Sequence, residues 1–87
     1  YEAALGPTHP DVATTLGNLA GVLLEQGDLT GARALNERAL RLFEAALGPT
    51  HPDVARSLGN LAGVLRAQGD LTGARALYER ALRIYEG

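Results

Sequence analysis

Sliding the chain 42 residues along itself brings Leu5 onto Leu47, Gly27 onto Gly69 and Ala39 onto Ala81. Of the 45 residue pairs this shift aligns, 36 are identical, and there is no gap. The nine that differ are Tyr1/Phe43, Thr14/Arg56, Thr15/Ser57, Leu24/Arg66, Glu25/Ala67, Asn36/Tyr78, Leu42/Ile84, Phe43/Tyr85 and Ala45/Gly87. A period of this length marks a repeat architecture, in which each unit buries its apolar face on the next. The totals agree. A single core in 87 residues would be marginal. Aromatics make up only 5% of the chain, so Leu, Val and Ala must build the interior.

One unit reads as two helices. Gly6-Pro7-Thr8-His9-Pro10-Asp11 is a break followed by a start: Gly6 suits the left-handed residue past a helix end, and Thr8 with Asp11 gives a Thr-x-x-Asp cap. Pro10 in the first turn loses no hydrogen bond. Val12, Leu16, Leu19, Ala20 and Leu23 then lie on one helical face, the first helix of the unit, A. Gly27-Asp28 ends it and caps the second, B. Helix B carries one stripe of Leu29, Ala32, Asn36, Ala39, Leu40, Phe43 and Leu47, and a second of Leu35 and Leu42. Two stripes fit a helix packed between two neighbours. The second unit repeats this from Thr50 to Tyr85.

The pattern predicts an all-α chain with helices over about Pro10–Gln26, Asp28–Leu47, Pro52–Gln68 and Asp70–Tyr85. Residues 1–6 read as the tail of a preceding helix B, 8–47 as the first repeat and 50–87 as the second, together one repeat domain. Leu19, Leu23, Ala32, Ala39, Leu40, Leu61, Leu65, Ala74, Ala81 and Leu82 are the expected core, with Ala32 and Ala74 at close helix contacts. Arg33, Glu37 and Arg41, with Arg75, Glu79 and Arg83, read as a solvated outer face with weak i,i+4 pairs.

These residues resemble the tetratricopeptide repeat. Gly27, Leu29, Ala32 and Ala39-Leu40 fall at its turn glycine, its helix-B aromatic, its packing alanine and its Ala-Leu pair. Leu16, Leu19, Ala20 and Leu23 stand at its helix-A positions, with aliphatic residues in place of aromatics. The 42-residue period and the segments Leu47-Gly48-Pro49-Thr50-His51-Pro52-Asp53-Val54-Ala55, Leu58-Gly59-Asn60-Leu61-Ala62 and Arg80-Ala81-Leu82-Arg83-Ile84-Tyr85-Glu86 look like the kinesin-light-chain type. That type has Asn-Asn where Gly17-Asn18 and Gly59-Asn60 stand, and Glu-Glu-Ala where Thr30-Gly31-Ala32 stands. Gly31 therefore removes the reciprocal Glu of a capping box. The resemblance implies an α-solenoid of two antiparallel helix–turn–helix repeats, stacked as a right-handed superhelix, with the A helices lining a concave groove that binds peptide segments of partner proteins.

Within that groove the candidate ligand residues are Thr14, Gly17, Asn18, Gly21, Arg56, Gly59, Asn60, Gly63 and Arg66. Asn18 and Asn60 can both donate to and accept from a peptide backbone. Gly17, Gly21, Gly59 and Gly63 each weaken a helix interior by ~0.5–1 kcal/mol, which a ligand or neighbouring helix approaching the bare backbone would explain. Arg56 and Arg66 replace Thr14 and Leu24, which makes the second unit's groove basic: either a fork for acidic peptides or drift at the surface. His9 and His51 precede prolines at helix starts without the i, i+4 spacing of a metal pair, and read as junction residues.

Other function classes lack their signatures. A net charge of −2 offers no footprint for nucleic acid or anionic membrane. No apolar run approaches a membrane span and no signal-peptide pattern appears, so a cytoplasmic location is expected. There is no cysteine, no lysine, no nucleophile–base arrangement and no phosphate loop. The expectation is a non-enzyme without cofactor or metal that binds proteins or peptides, acidic ones among them. The alternative is a structural or designed repeat whose surfaces mainly stack on themselves. The chain begins without Met inside a repeat, as an excised or designed segment would. With two units and bare end faces, self-association is expected, head to tail as a ring or filament, or as a two-fold dimer.

Overall fold

A computed structural model describes residues 10–87, and among these every regular element is an α-helix: α1 (Pro10–Glu25), α2 (Leu29–Leu47), α3 (Pro52–Ala67) and α4 (Leu71–Glu86). The expected spans hold to within a residue or two at each end. The tail read over residues 1–6, the Gly6 break, the Thr8 cap and His9 lie outside the described residues. Adjacent helices pack in pairs, α1 on α2 and α3 on α4, and α3 also packs on α2 and touches α1. This is the repeat solenoid that the period implies.

The sharp turn inside each repeat follows from two residues. Gly27 and Gly69 have φ of 84° and 87°, a region where an L side chain costs ~1–2 kcal/mol. Their N–H groups donate to the Leu24 and Arg66 carbonyls at 3.0 Å. The Asp28 and Asp70 N–H groups donate to the Leu23 and Leu65 carbonyls at 2.8 and 2.9 Å. This pair of bonds is the Schellman closure of a helix end. The same aspartates then start the next helix: Oδ1 of Asp28 accepts from the Gly31 N–H, and Oδ1 of Asp70 from the Gly73 N–H, each at 2.9 Å. A Cβ on Gly31 would meet Asp28 Oδ2 at 2.5 Å, so the carboxylate occupies the space where a capping-box Glu would begin. Gly69→Ala should therefore lower stability by ~1–2 kcal/mol, read as an earlier midpoint in chemical unfolding.

Between repeats the cap differs from the expected one. Pro52 is the first residue of α3, so the cap falls on His51 and not on Thr50. Nδ1 of His51 accepts from the Asp53 N–H at 3.0 Å, which places that ring's proton on Nε2. His51 is thus the junction residue its position suggested. Among the described residues no group of three or more His, Cys, Asp or Glu side chains could hold a metal ion.

The core runs through both units. Val12, Ala13 and Leu16 of α1, Ala39, Leu40 and Phe43 of α2, and Val54, Ala55, Leu58 and Leu61 of α3 form one cluster with Ala81. A second, smaller cluster joins Ala62, Leu65 and Ala74. Ala32 and Ala74 are buried, as close-packing positions require. Three expected core residues are not buried: Leu19 and Leu82 are exposed, and Leu23 is only half-buried. Their counterparts Leu61 and Leu40 are buried because α3 lies on α2, and no described helix lies on α4 or on the far side of α1 in the same way. Arg80 of α4 bonds to Glu44 at the end of α2, a clasp across the repeat boundary. Arg33–Glu37 and Arg75–Glu79 approach to 3.5 Å on exposed side chains, weak i,i+4 pairs as expected.

Candidate functional site

Because α3 reaches past α2 to touch α1, the two A helices leave a groove between them, floored by α2. Its first compartment is lined by Thr14, Gly17 and Asn18 of α1, Phe43 of α2, and Arg56, Ser57 and Asn60 of α3. Its second is lined by Gly17, Ala20, Gly21 and Leu24 of α1, with Asn36 and Asn60. Gly17 and Asn60 belong to both, so the two are one continuous depression. The volumes are about 150 and 140 Å³. Pockets that enclose a whole small molecule run to ~300–1,000 Å³, so each compartment suits one side chain of a ligand lying across the surface.

The helical period explains the lining. Thr14, Gly17, Asn18 and Gly21 are spaced i, i+3, i+4 and i+7, one face of α1, and Arg56, Asn60 and Gly63 lie on the matching face of α3. Asn18 and Asn60 are exposed, each amide offering two donors and one acceptor oxygen. A Cβ added at Gly17, Gly21 or Gly59 would meet nothing within 4 Å, and one at Gly63 only the Tyr78 hydroxyl at 3.9 Å. No neighbouring helix presses on these glycines, so close packing does not account for them. The effect of Gly17 and Gly21 is to keep the α1 wall of the depression low.

Arg56 is held loosely. Its guanidinium carbon sits 5.9 Å from the centre of the Phe43 ring, near the outer limit of a cation–π contact. One nitrogen lies 3.8 Å from Asp53 Oδ1, too long for a hydrogen bond. Neither contact resists a better partner. Arg66 sits apart: it is exposed in the last turn of α3 and lines neither compartment. Gly59 faces a different groove, shared with Tyr78, Leu82 and Tyr85.

Six lining residues were not among the candidates read from sequence: the apolar Ala13, Ala20 and Leu24 of α1, and Asn36, Phe43 and Ser57. Asn36 and Phe43 stood in the helix-B stripe, where periodicity assigns them to the core. They are indeed buried, and they line the floor of the depression between α1 and α3. The one signal available was Asn36 itself, an amide in an otherwise apolar stripe. No helix among the described residues is long and apolar enough to cross a membrane.

No curated protein matches the sequence. The profile of the tetratricopeptide repeat matches residues 1–45 and again 11–87, which together take in the whole chain, and with the paired helices and Gly-Asp turns this shows that the chain belongs to the tetratricopeptide repeat family.

Proposed function

We propose that this chain is a protein–protein interaction module that takes an extended peptide segment of a partner in the groove between α1 and α3. Repeats of this family generally mediate protein–protein interactions. The observation that carries the finer reading is the convergence of Asn18, Asn60, Thr14 and Arg56 around one depression with Phe43 at its floor. Two amides, one per repeat, can hold a peptide backbone whatever its side chains. Thr14 and Arg56 can then select among sequences. The remaining candidates divide by position: Gly17 and Gly21 keep the wall open, while Gly59, Gly63 and Arg66 line neither compartment and are left out of this reading. The kinesin-light-chain-like period fits this use, since its longer units lengthen the groove.

Arg56 favours acidic segments. Calorimetric titration of an extended Asp/Glu-rich peptide against a neutral one of equal length tests the reading. The acidic peptide should bind more tightly, and its affinity should fall as salt shortens the screening length toward ~8 Å and below. Arg56→Ala should weaken it by ~1.5–3 kcal/mol, the value of a charged hydrogen bond. Asn60→Ala should weaken both peptides alike. Binding indifferent to Arg56 and to salt would return that residue to surface drift, and no binding of either peptide would sink the groove reading itself.

A further inference from the structure

Among the described helices, α1 and the pair α3 and α4 expose the two halves of an interface that the chain already contains once. At its centre α3 packs on the face formed by α1 and α2. Shifted by 42 residues, that receiving face becomes Ala55, Arg56, Gly59, Tyr78, Ala81, Leu82 and Tyr85, the lining of a shallow apolar groove of about 340 Å³ on α3 and α4. In the first repeat the corresponding Leu40 and Phe43 are 9% and 2% exposed; in the second, Leu82 and Tyr85 are 55% and 62% exposed. The inserting side shows the same contrast. Leu61 and Val64 of α3 are 5% and 0% exposed, while the identical residue types Leu19 and Val22 of α1 are both 48% exposed. Each pair is the same chemistry with and without a neighbour.

We infer that a second copy of this chain docks its α1, through Leu19 and Val22, on the groove of α3 and α4, as α3 docks on α1 and α2 within one copy. The occupant is fixed by the repeat: Leu40 and Phe43 share one core cluster with Leu61 of α3, which stands at the position of Leu19, and Val64 of the same helix, at the position of Val22, is fully buried. Three receiving positions differ between the units. Phe43/Tyr85 adds a hydroxyl, Asn36/Tyr78 replaces a buried amide with an aromatic ring, and Thr14/Arg56 puts a cation at the rim. The first two keep or enlarge the apolar surface that α1 would cover. The contact joins unlike faces, so it propagates from copy to copy. This surface shares only Arg56, at its rim, with the peptide groove and does not depend on that reading.

Sedimentation velocity across a concentration series, from ~10 μM to ~1 mM, tests it, since an interface of one helix on two is small and belongs to the weak class. The mean mass should climb from the 9.1 kDa of one chain with concentration and pass that of a dimer. Val22→Glu spoils only the inserting face and Leu82→Glu only the receiving face. Both side chains are about half-exposed or more, so each variant should keep the helical circular dichroism of the parent; Leu19→Glu is the second inserting-face variant should Val22→Glu lose it. Each variant alone should stay monomeric to at least tenfold higher concentration than the parent. An equimolar mixture of the two should form a dimer and stop there, because only one intact pair of faces remains. A parent chain that is monomeric throughout would overturn the proposal. So would a Val22→Glu variant that associates as readily as the parent, because that marks a two-fold contact between receiving faces.

Discussion

Replacing Leu58 with Ala should destabilise the chain by ~2–5 kcal/mol, the range for emptying a fully enclosed leucine site. Leu58 is among the largest side chains with no exposure, in the cluster that joins α1, α2, α3 and α4. Rigid helices on every side leave little room for collapse into the void, which places the cost in the upper part of that range. The consequence is large because the total is small: at ~0.05–0.15 kcal/mol per residue, a domain of this length holds only ~4–13 kcal/mol. Urea unfolding followed by circular dichroism at low micromolar concentration reads the change as a shift in midpoint at unchanged slope. A companion pair isolates position from chemistry. Leu61→Ala and Leu19→Ala delete the same atoms from the same repeat position, but Leu61 is buried and Leu19 half-exposed. The first should cost at least ~2 kcal/mol and the second well under half of that. Equal costs would mean that α3 does not pack on α2 in the manner described.

The same pair shows how far the sequence is legible. Periodicity and turn chemistry are local properties, and the helices, the Gly-Asp turns and the packing alanines Ala32 and Ala74 could all be read from them. Burial is not local. Leu19 and Leu61 have identical neighbours along most of the chain, and only the placement of α3 on α2 separates them. Leu40 and Leu82 diverge for the same reason. The cap at the repeat junction was misread on a finer scale. Thr50 is the better capping type, but Pro52 fits the first helical position, and that register hands the cap to His51. At the candidate groove, one face of α1 and one of α3 were legible as i, i+3, i+4, i+7 patterns, which found Thr14, Gly17, Asn18, Gly21, Arg56 and Asn60. Phe43, Asn36 and Ser57 were not, because which residues show through the gap between two helices depends on where those helices sit, which is not a local property. Arg66 shows the converse: it lies on α3 as read, but too near the end to share the depression.

Changing Gly17, Gly21, Gly59 and Gly63 together to Ala should raise stability by ~2–4 kcal/mol, since each glycine in a helix interior costs ~0.5–1 kcal/mol relative to alanine. The gain needs two conditions, and both hold. All four lie within α1 or α3 without positive φ, so alanine adopts their backbone without strain. The added methyl groups meet open space at three sites and ordinary contact with the Tyr78 hydroxyl at the fourth. For a chain of this size the melting temperature should rise on the order of 10–20 °C. Gly27 and Gly69 make the control: their positive φ means that alanine there should move stability in the opposite direction. The variant also bears on function. Gly17 and Gly21 line the groove between α1 and α3, so two of the four methyl groups enter the space proposed for the peptide. If that space is used, the quadruple variant should be more stable and bind an acidic peptide less tightly, with Gly17→Ala and Gly21→Ala responsible for the loss. A gain in stability with peptide affinity unchanged would remove the glycines from the binding surface while leaving Asn18, Asn60 and Arg56 to be judged on their own substitutions. No gain in stability would mean that the walls of the groove are closer than the described packing allows.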